Sequence, residues 1–145
     1  MALVLFAAIL AIDQLVKLAV KISMLPGESI PVIDGFFHFT YVLNPGAAFG
    51  MLENQQIFFI AAGFMIIAVF IYCYPRIKSQ CAYFHYGCVA LLAGAVGNLI
   101  DRVRTGLVVD YLDFRVWPVF NIADIAIVVG VISMMYAIIY KMKDN

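Results

Sequence analysis

IFFIAAGFMIIAVFIYCY, residues 57–74, runs for eighteen positions without a charge. A hydrocarbon core of ~30 Å is crossed by a helix of ~20 apolar residues, and a helix that is apolar all round has no face to offer water. The bilayer is the solvent this segment calls for. Working outward, three further apolar stretches have comparable length: residues 2–22, which carry Asp13, Lys17 and Lys21; about 82–100, which end in Asn98; and 119–140, which carry Asp124. Four crossings put both termini on one side of a membrane.

Composition agrees. Of 145 residues 66% are hydrophobic, with nine basic and nine acidic side chains, and the mean hydropathy is +1.02. A soluble chain this short needs more polar residues to cover its surface. The balance excludes disorder, a basic nucleic-acid-binding protein and a disulfide scaffold. Cys73, Cys81 and Cys88 lack the spacing of a metal site. Residues 2–22 lack the basic n-region of a cleaved signal peptide and place Asp13 inside the apolar run, so a retained helix is expected.

The loops at about 24–56 and 102–118 share one face, and the short turn around Pro75, Arg76 and Lys78 lies on the other. Lys and Arg divide four against five between the faces, which sets no orientation, whereas eight of the nine acids lie on the long-loop face, all but Asp144. That asymmetry says where chemistry could lie. Within the first loop, Phe37, Phe39, Tyr41 and Leu43 alternate with His38, Thr40, Val42 and Asn44, which is a strand pattern. Residues 47–54 are expected to form a short interfacial helix with Phe49, Met51 and Leu52 toward lipid. With Tyr111, Phe114 and Trp117, these aromatics suit a platform at headgroup level. The expected architecture is an all-α integral membrane protein, a single domain over 1–145: four transmembrane helices, a small β-rich lobe and an interfacial helix.

Ionisable residues at membrane depth cost several kcal/mol unless paired or solvated, so each is a functional hypothesis. Asp13 and Lys17 are four apart on one helical face and read first as an ion pair that fixes packing. Asn98, Asp101 and Arg102 form an i, i+3, i+4 stripe, which Gly94 and Gly97 allow a neighbouring helix to approach. Asp110 stands in a β-branched surround outside the third span, and Asp124 about one turn inside the fourth. A re-entering loop would bring them to one depth. Two carboxylates sharing a site cannot both ionise cheaply, so one holds a proton and the pair can activate water while protonating a substrate carbonyl or leaving amine. Structural carboxylates and a proton pathway remain alternatives at this point, as do a small transporter and an assembly subunit. A Ser23 dyad with Lys21 or Lys17 is disfavoured because sequence neighbours seldom face one another on a helix. His38 and His85 fall on opposite faces, and Asp110 with Asp113 is only a fragment of a magnesium motif.

Taken in order, Asp13-Gln14 with Lys17, Asn44-x-Gly46-Ala-Ala-Phe49, Gly94-x-x-Gly97-Asn98-x-x-Asp101-Arg102, Val108-Val-Asp110-Tyr-Leu-Asp-Phe114 and Phe120-Asn121-x-Ala-Asp124 resemble the lipoprotein signal peptidases (signal peptidase II) of bacteria. Five motifs in this order on a four-span chain are specific. The resemblance implies an aspartic membrane endopeptidase that cuts diacylglyceryl-modified prolipoproteins just before the lipidated cysteine, without metal or other cofactor. It carries the catalytic pair onto Asp110 and Asp124. It makes Asn44, Gly46, Asn98, Arg102 and Asn121 positions that line the site and hold substrate, and Asp13, Lys17 and Asp101 a supporting network. It further implies contact with membrane lipid, inhibition by globomycin-type cyclic peptides, and an inner-membrane location with cytoplasmic termini and the site facing the periplasm; one chain supplies every motif, so a monomer is expected, and the composition leaves no nucleic-acid partner expected. Two positions depart from the family pattern: apolar sequence begins at Ala2, where a few basic or polar residues are usual, and Ile125 follows Asp124, where serine is frequent.

Overall fold

The computed structural model describes residues 1–46 and 55–141. The expected helix at 47–54, with Phe49, lies outside the described residues. Four helices, α1 (Ala2–Ser23), α2 (Gln56–Ile77), α3 (Ala82–Thr105) and α4 (Ile122–Tyr140), are each long and apolar enough to cross a membrane. Three strands, β1 (Ser29–Ile33), β2 (Phe37–Asn44) and β3 (Val108–Asp113), form an antiparallel sheet in the order β1-β2-β3.

The helix bounds differ from the apolar runs wherever polar residues find partners. α2 passes through Pro75 to Ile77, so the turn expected there begins later. α3 continues beyond residue 100 to Thr105, so the stripe of Asn98, Asp101 and Arg102 lies within one helix and the loop expected from about 102 begins later. The helix ends at Gly106 (φ 79°), whose left-handed backbone suits glycine and whose N–H donates to the Arg102 carbonyl. α4 starts at Ile122 rather than 119, because Phe120 pairs in antiparallel fashion with Leu112 of β3.

α3 is the central helix, packing against α1, α2 and α4. Without a hydrophobic force between helices in lipid, close packing relies on small residues. A Cβ on Gly94 would overlap the Ala123 carbonyl of α4, and one on Gly97 would lie 2.6 Å from the Asp13 carboxylate of α1. Lower down, Gly87 and Gly130 each admit the other's backbone. Outward-facing Leu15, Leu18, Phe64, Ile71, Val128 and Ile132 are exposed, a cost in water but not in hydrocarbon.

A buried cluster of Val20, Met24, Tyr41, Val109 and Tyr111 fastens the sheet onto the end of α1. Residues 109 and 111 point into it, so strand alternation turns Asp110 to the opposite face. Val42 pairs with Asp110 and Asn44 with Val108, which sets Asn44 diagonally beside Asp110 on that face.

Candidate active site

The segment that pairs with β3 delivers the fourth helix. The Phe120 carbonyl accepts from the Tyr111 and Leu112 N–H groups at 3.0 and 2.8 Å, and the Phe120 N–H returns a bond to the Leu112 carbonyl at 3.1 Å. The next residue, Asn121, therefore stands beside Asp110 and opens α4 as its N-cap. Its Oδ1 accepts from the Asp124 N–H at 2.9 Å, and the Asp124 Oδ2 accepts from the Asn121 N–H at 3.1 Å. This reciprocal capping box fixes the Asp124 carboxylate in the first turn.

Asp110 and Asp124 line one cleft of about 290 Å³, together with Asn44, Gly46, Asn98, Arg102 and Trp117. Asp110 accepts from Asn121 Nδ2 at 2.7 Å and from Asn44 Nδ2 at 2.8 Å, one on each oxygen. Asp124 accepts on Oδ1 from Asn98 Nδ2 at 2.8 Å. Burial, then the neighbouring charge of Asp124, raise the pKa of Asp110 to about 7, against the opposing pull of the Asn44 and Asn121 bonds and of Lys17. An acid poised near neutrality beside a second carboxylate is equipped to hold and pass one proton.

Asn121 is fully buried, and its Nδ2 also approaches Asn98 Oδ1 at 3.1 Å and the Val109 carbonyl at 3.3 Å. Its amide is engaged by the two aspartates and their neighbours. Arg102 donates from Nη2 to the Gly46 carbonyl at 3.1 Å, and its guanidinium lies 4.6 Å from the Phe59 ring centroid. Asn44 Oδ1 accepts from the Gly46 N–H at 2.9 Å. These contacts tie the loop at Gly46 to both β2 and α3.

Behind the cleft, Lys17 Nζ has three acceptors: Asp13 Oδ2 and Asp101 Oδ2, each at 3.0 Å, and Asn98 Oδ1 at 2.9 Å. Asp13 also caps the start of α4 through the Ala123 N–H at 3.0 Å, and Asp101 accepts from the Val109 N–H at 3.3 Å. One buried cluster thus joins α1, α3, α4 and β3. Gln14 adds bonds to Asp13 and the Gly97 carbonyl.

Asp113 lies on the other side of β3, held by Thr40 at 2.7 Å and Arg115 at 3.0 Å, so it does not share the cleft with Asp110. Ile125 lines an adjoining apolar groove of about 470 Å³ with Phe114, Val129 and, shared with the cleft, Trp117, Phe120, Asp124 and Val128. The bonds to the Asp124 carboxylate come from Asn98 and the Asn121 N–H, and need no hydroxyl at position 125. Sequence reasoning missed Phe59 and Gln56. The first underlies Arg102, and the second donates to the Arg102 carbonyl at 3.2 Å. An aromatic and an amide at the start of an apolar helix carry no distinguishing pattern.

Residues 5–140 match the family model of Signal peptidase (SPase) II. The lipoprotein signal peptidase of Pelotomaculum thermopropionicum is 46% identical over 136 residues, covering 94% of this chain and 90% of that protein. That of Caldanaerobacter subterraneus subsp. tengcongensis is 46% identical over 142 residues, covering 97% of each. Two solved bacterial membrane enzymes superpose with TM-scores of 0.90 and 0.85 at 32% and 33% identity, each over 99% of this chain and over 90% and 94% of theirs. With its four spans, small sheet and paired carboxylates, this chain belongs to the signal peptidase II family of membrane aspartic peptidases, which process prolipoprotein signal peptides.

Proposed function

We propose that Asp110 and Asp124 are the catalytic pair and that they cleave a diacylglyceryl-modified prolipoprotein just before its lipidated cysteine. The observation that carries this reading is the single cleft in which both carboxylates meet, each held by amide donors that orient its oxygens. The ionised aspartate takes a proton from water as the water oxygen attacks the scissile carbonyl carbon. The protonated aspartate gives its proton to the carbonyl oxygen. Collapse of the tetrahedral intermediate returns that oxygen's proton to one carboxylate while the other protonates the leaving nitrogen, so the C–N bond breaks and the pair again shares one proton.

The surroundings fit a substrate that is itself in the membrane. An apolar trough opens from Asn98, Arg102 and Asp124 between Phe59, Gly63, Leu99 and Ile127. At Ile66 it meets a second, lined by Phe70, Cys73, Cys88 and Met134. Together they offer a signal-peptide helix a lane along α2 and α3 that ends at the carboxylates. The groove at Trp117, Ile125 and Val129 offers acyl chains a place on the other side of Asp124. Binding both parts of the substrate converts a two-dimensional encounter into a near-attack geometry. The site belongs on the periplasmic face of the inner membrane, with cytoplasmic termini, and one chain supplies every motif, so a monomer suffices. A globomycin-type peptide would occupy the cleft between the carboxylates.

The test uses purified protein in lipid with a diacylglyceryl-modified prolipoprotein, the same polypeptide without lipid, and the Asp110→Asn and Asp124→Asn variants, with products read by mass spectrometry. Cleavage before the cysteine that requires both the lipid and both carboxylates supports the reading. Cleavage by either folded variant at near wild-type rate removes that aspartate from the pair.

A further inference from the structure

The two polar clusters at this end of the bundle share one side chain, Asn98. Its Oδ1 faces Lys17 Nζ at 2.9 Å and Asn121 Nδ2 at 3.1 Å, and its Nδ2 faces Asp124 Oδ1 at 2.8 Å. An amide placed between a cation and a carboxylate has one orientation, oxygen toward the ammonium and N–H toward the anion. Reversal would set its N–H against the Lys17 ammonium and its oxygen against the Asp124 carboxylate.

We infer that Lys17 is a positioning residue of the reaction: through Asn98 it makes Asp124 the ionised, water-activating member of the pair and leaves Asp110 as the member that carries the proton. The inference rests on the two-aspartate reading above and assigns the roles within it.

The hydrogen-bond partners distinguish the two carboxylates. Asp124 sits at the third position of α4, where backbone N–H groups and the helix dipole favour an anion, and it receives its side-chain bond from an amide already polarised by an ammonium. Asp110 lies on a strand, away from any helix terminus, and its two donors are neutral amides, Asn44 and Asn121.

The charges around the pair act on both carboxylates and set how many protons it holds, while the hydrogen bonds set which member holds it. α1 brings Lys17 and Asp13, α3 brings Arg102 and Asp101, and β3 brings Asp110. From Gln56 to Tyr74, α2 brings neither Lys, Arg, Asp nor Glu. Lys17 and Arg102 together offset Asp13 and Asp101, so no cation is left to compensate two negative charges on the pair, and the mutual repulsion of the two carboxylates holds it to one. Removing the Lys17 charge would call a proton into the cluster, and the carboxylate whose anion Lys17 supports through Asn98 is the one that loses its ionised form.

The test compares Lys17→Met, Asn98→Ala and the double variant, measuring kcat, KM and the pH dependence of kcat on lipid-modified substrate, with thermal unfolding in lipid recorded beside them. Either single variant is expected to lower kcat about 10- to 100-fold and to move the acid limb of kcat to higher pH by about one unit, and Lys17→Met, outside the cleft, is expected to leave KM within about threefold. Because both interrupt one path, the double variant is expected to be no slower than the worse single one. Multiplying effects, or a wild-type pH profile in folded Lys17→Met, would overturn the relay. Should Lys17→Met fail to fold, Asn98→Ala decides alone: it leaves the Lys17 ion pairs in place and removes the Asn98 bonds to Lys17, Asn121 and Asp124, so a wild-type acid limb there overturns the proposal. Failure of the two-aspartate reading is separately visible as activity in Asp110→Asn or Asp124→Asn.

Discussion

Of the aspartates at one end of this bundle, two pairs stand in different settings on either side of Asn98. Asp13 and Asp101 flank the Lys17 ammonium, all three within 2% of full burial; the other Asp13 oxygen accepts from the Ala123 N–H, and the Asp101 oxygen that faces Lys17 also accepts from the Val109 N–H. Asp110 and Asp124 flank one another, receive donors that are neutral, and open onto a cleft. The same side chain is a fastening where its neighbour is a cation and a reagent where its neighbour is another carboxylate. A compensated ion cluster has nothing to exchange, whereas a like-charged pair must hold a proton and can release it.

Breaking each setting should give a different loss. In the open pair, Asp110→Asn and Asp124→Asn should each reduce cleavage at least about 10³-fold while the protein still unfolds cooperatively in lipid; a folded variant within tenfold of wild type contradicts the assignment. In the closed cluster, Asp13→Ala should instead remove about 3–5 kcal/mol of stability, because it strips Lys17 of one partner and leaves the Ala123 N–H unsatisfied. Thermal unfolding in detergent measures it, and an unchanged midpoint would mean that the cluster does not fasten the helices.

The pair should also leave a trace in stability against pH. The pKa of Asp110 rises to about 7 on folding, from about 3.9 in an unfolded chain. Between those values the folded protein binds the extra proton, so its stability falls as pH rises through the window and levels off above pH 7. Asp110→Asn removes that slope. The variant should gain on wild type by an amount on the order of 2–4 kcal/mol from about pH 4 to about pH 7. Parallel curves for the two proteins would show that Asp110 does not take up the proton.

Smaller effects sharpen the contrast. Gly94→Ala presses a methyl group onto the Ala123 carbonyl, one residue from Asp124, and should cost about 1–3 kcal/mol and slow cleavage together. A loss of stability with full activity would show that α4 can shift without disturbing the pair. Arg115→Ala breaks a half-exposed ion pair with Asp113, outside the cleft, and should change stability by less than about 1 kcal/mol and cleavage hardly at all. A large loss there would mean that the outer side of β3 takes part in the reaction.

Legibility in the sequence followed the range of the interaction that sets each feature. The spans could be read because hydrocarbon acts on each segment separately, and Ile57–Tyr74 needs no partner to be apolar. The β2 strand showed in its alternation. The Asp13–Lys17 pair was visible at four-residue spacing, and the structure gives it as a 3.0 Å contact. β3 was not read as a strand, because Val108–Asp113 is buried on both faces and its apolar and acidic residues do not alternate. The helical stripe of Asn98, Asp101 and Arg102 was visible in its spacing, but the last turn of α3, to Thr105, was hidden because a polar turn looks like a loop until Gln56 and Gly46 are found beside it.

What the sequence by itself determined is a four-span membrane chain whose acids collect on one face, since hydropathy and residue order need no folded partner. Its motif order also carried the family. Only the tertiary structure decided how Asp110 on a strand and Asp124 on a helix come to one cleft, through the pairing of Phe120 with Leu112 and the Asn121 cap. It alone shows that, among the described residues, the Lys17 side chain reaches that cleft through the Asn98 amide. Contacts such as Lys17 to Asn98, 81 positions apart, are set by helices packing at Gly94 and Gly97, and no local pattern encodes which amide atom will face which charge.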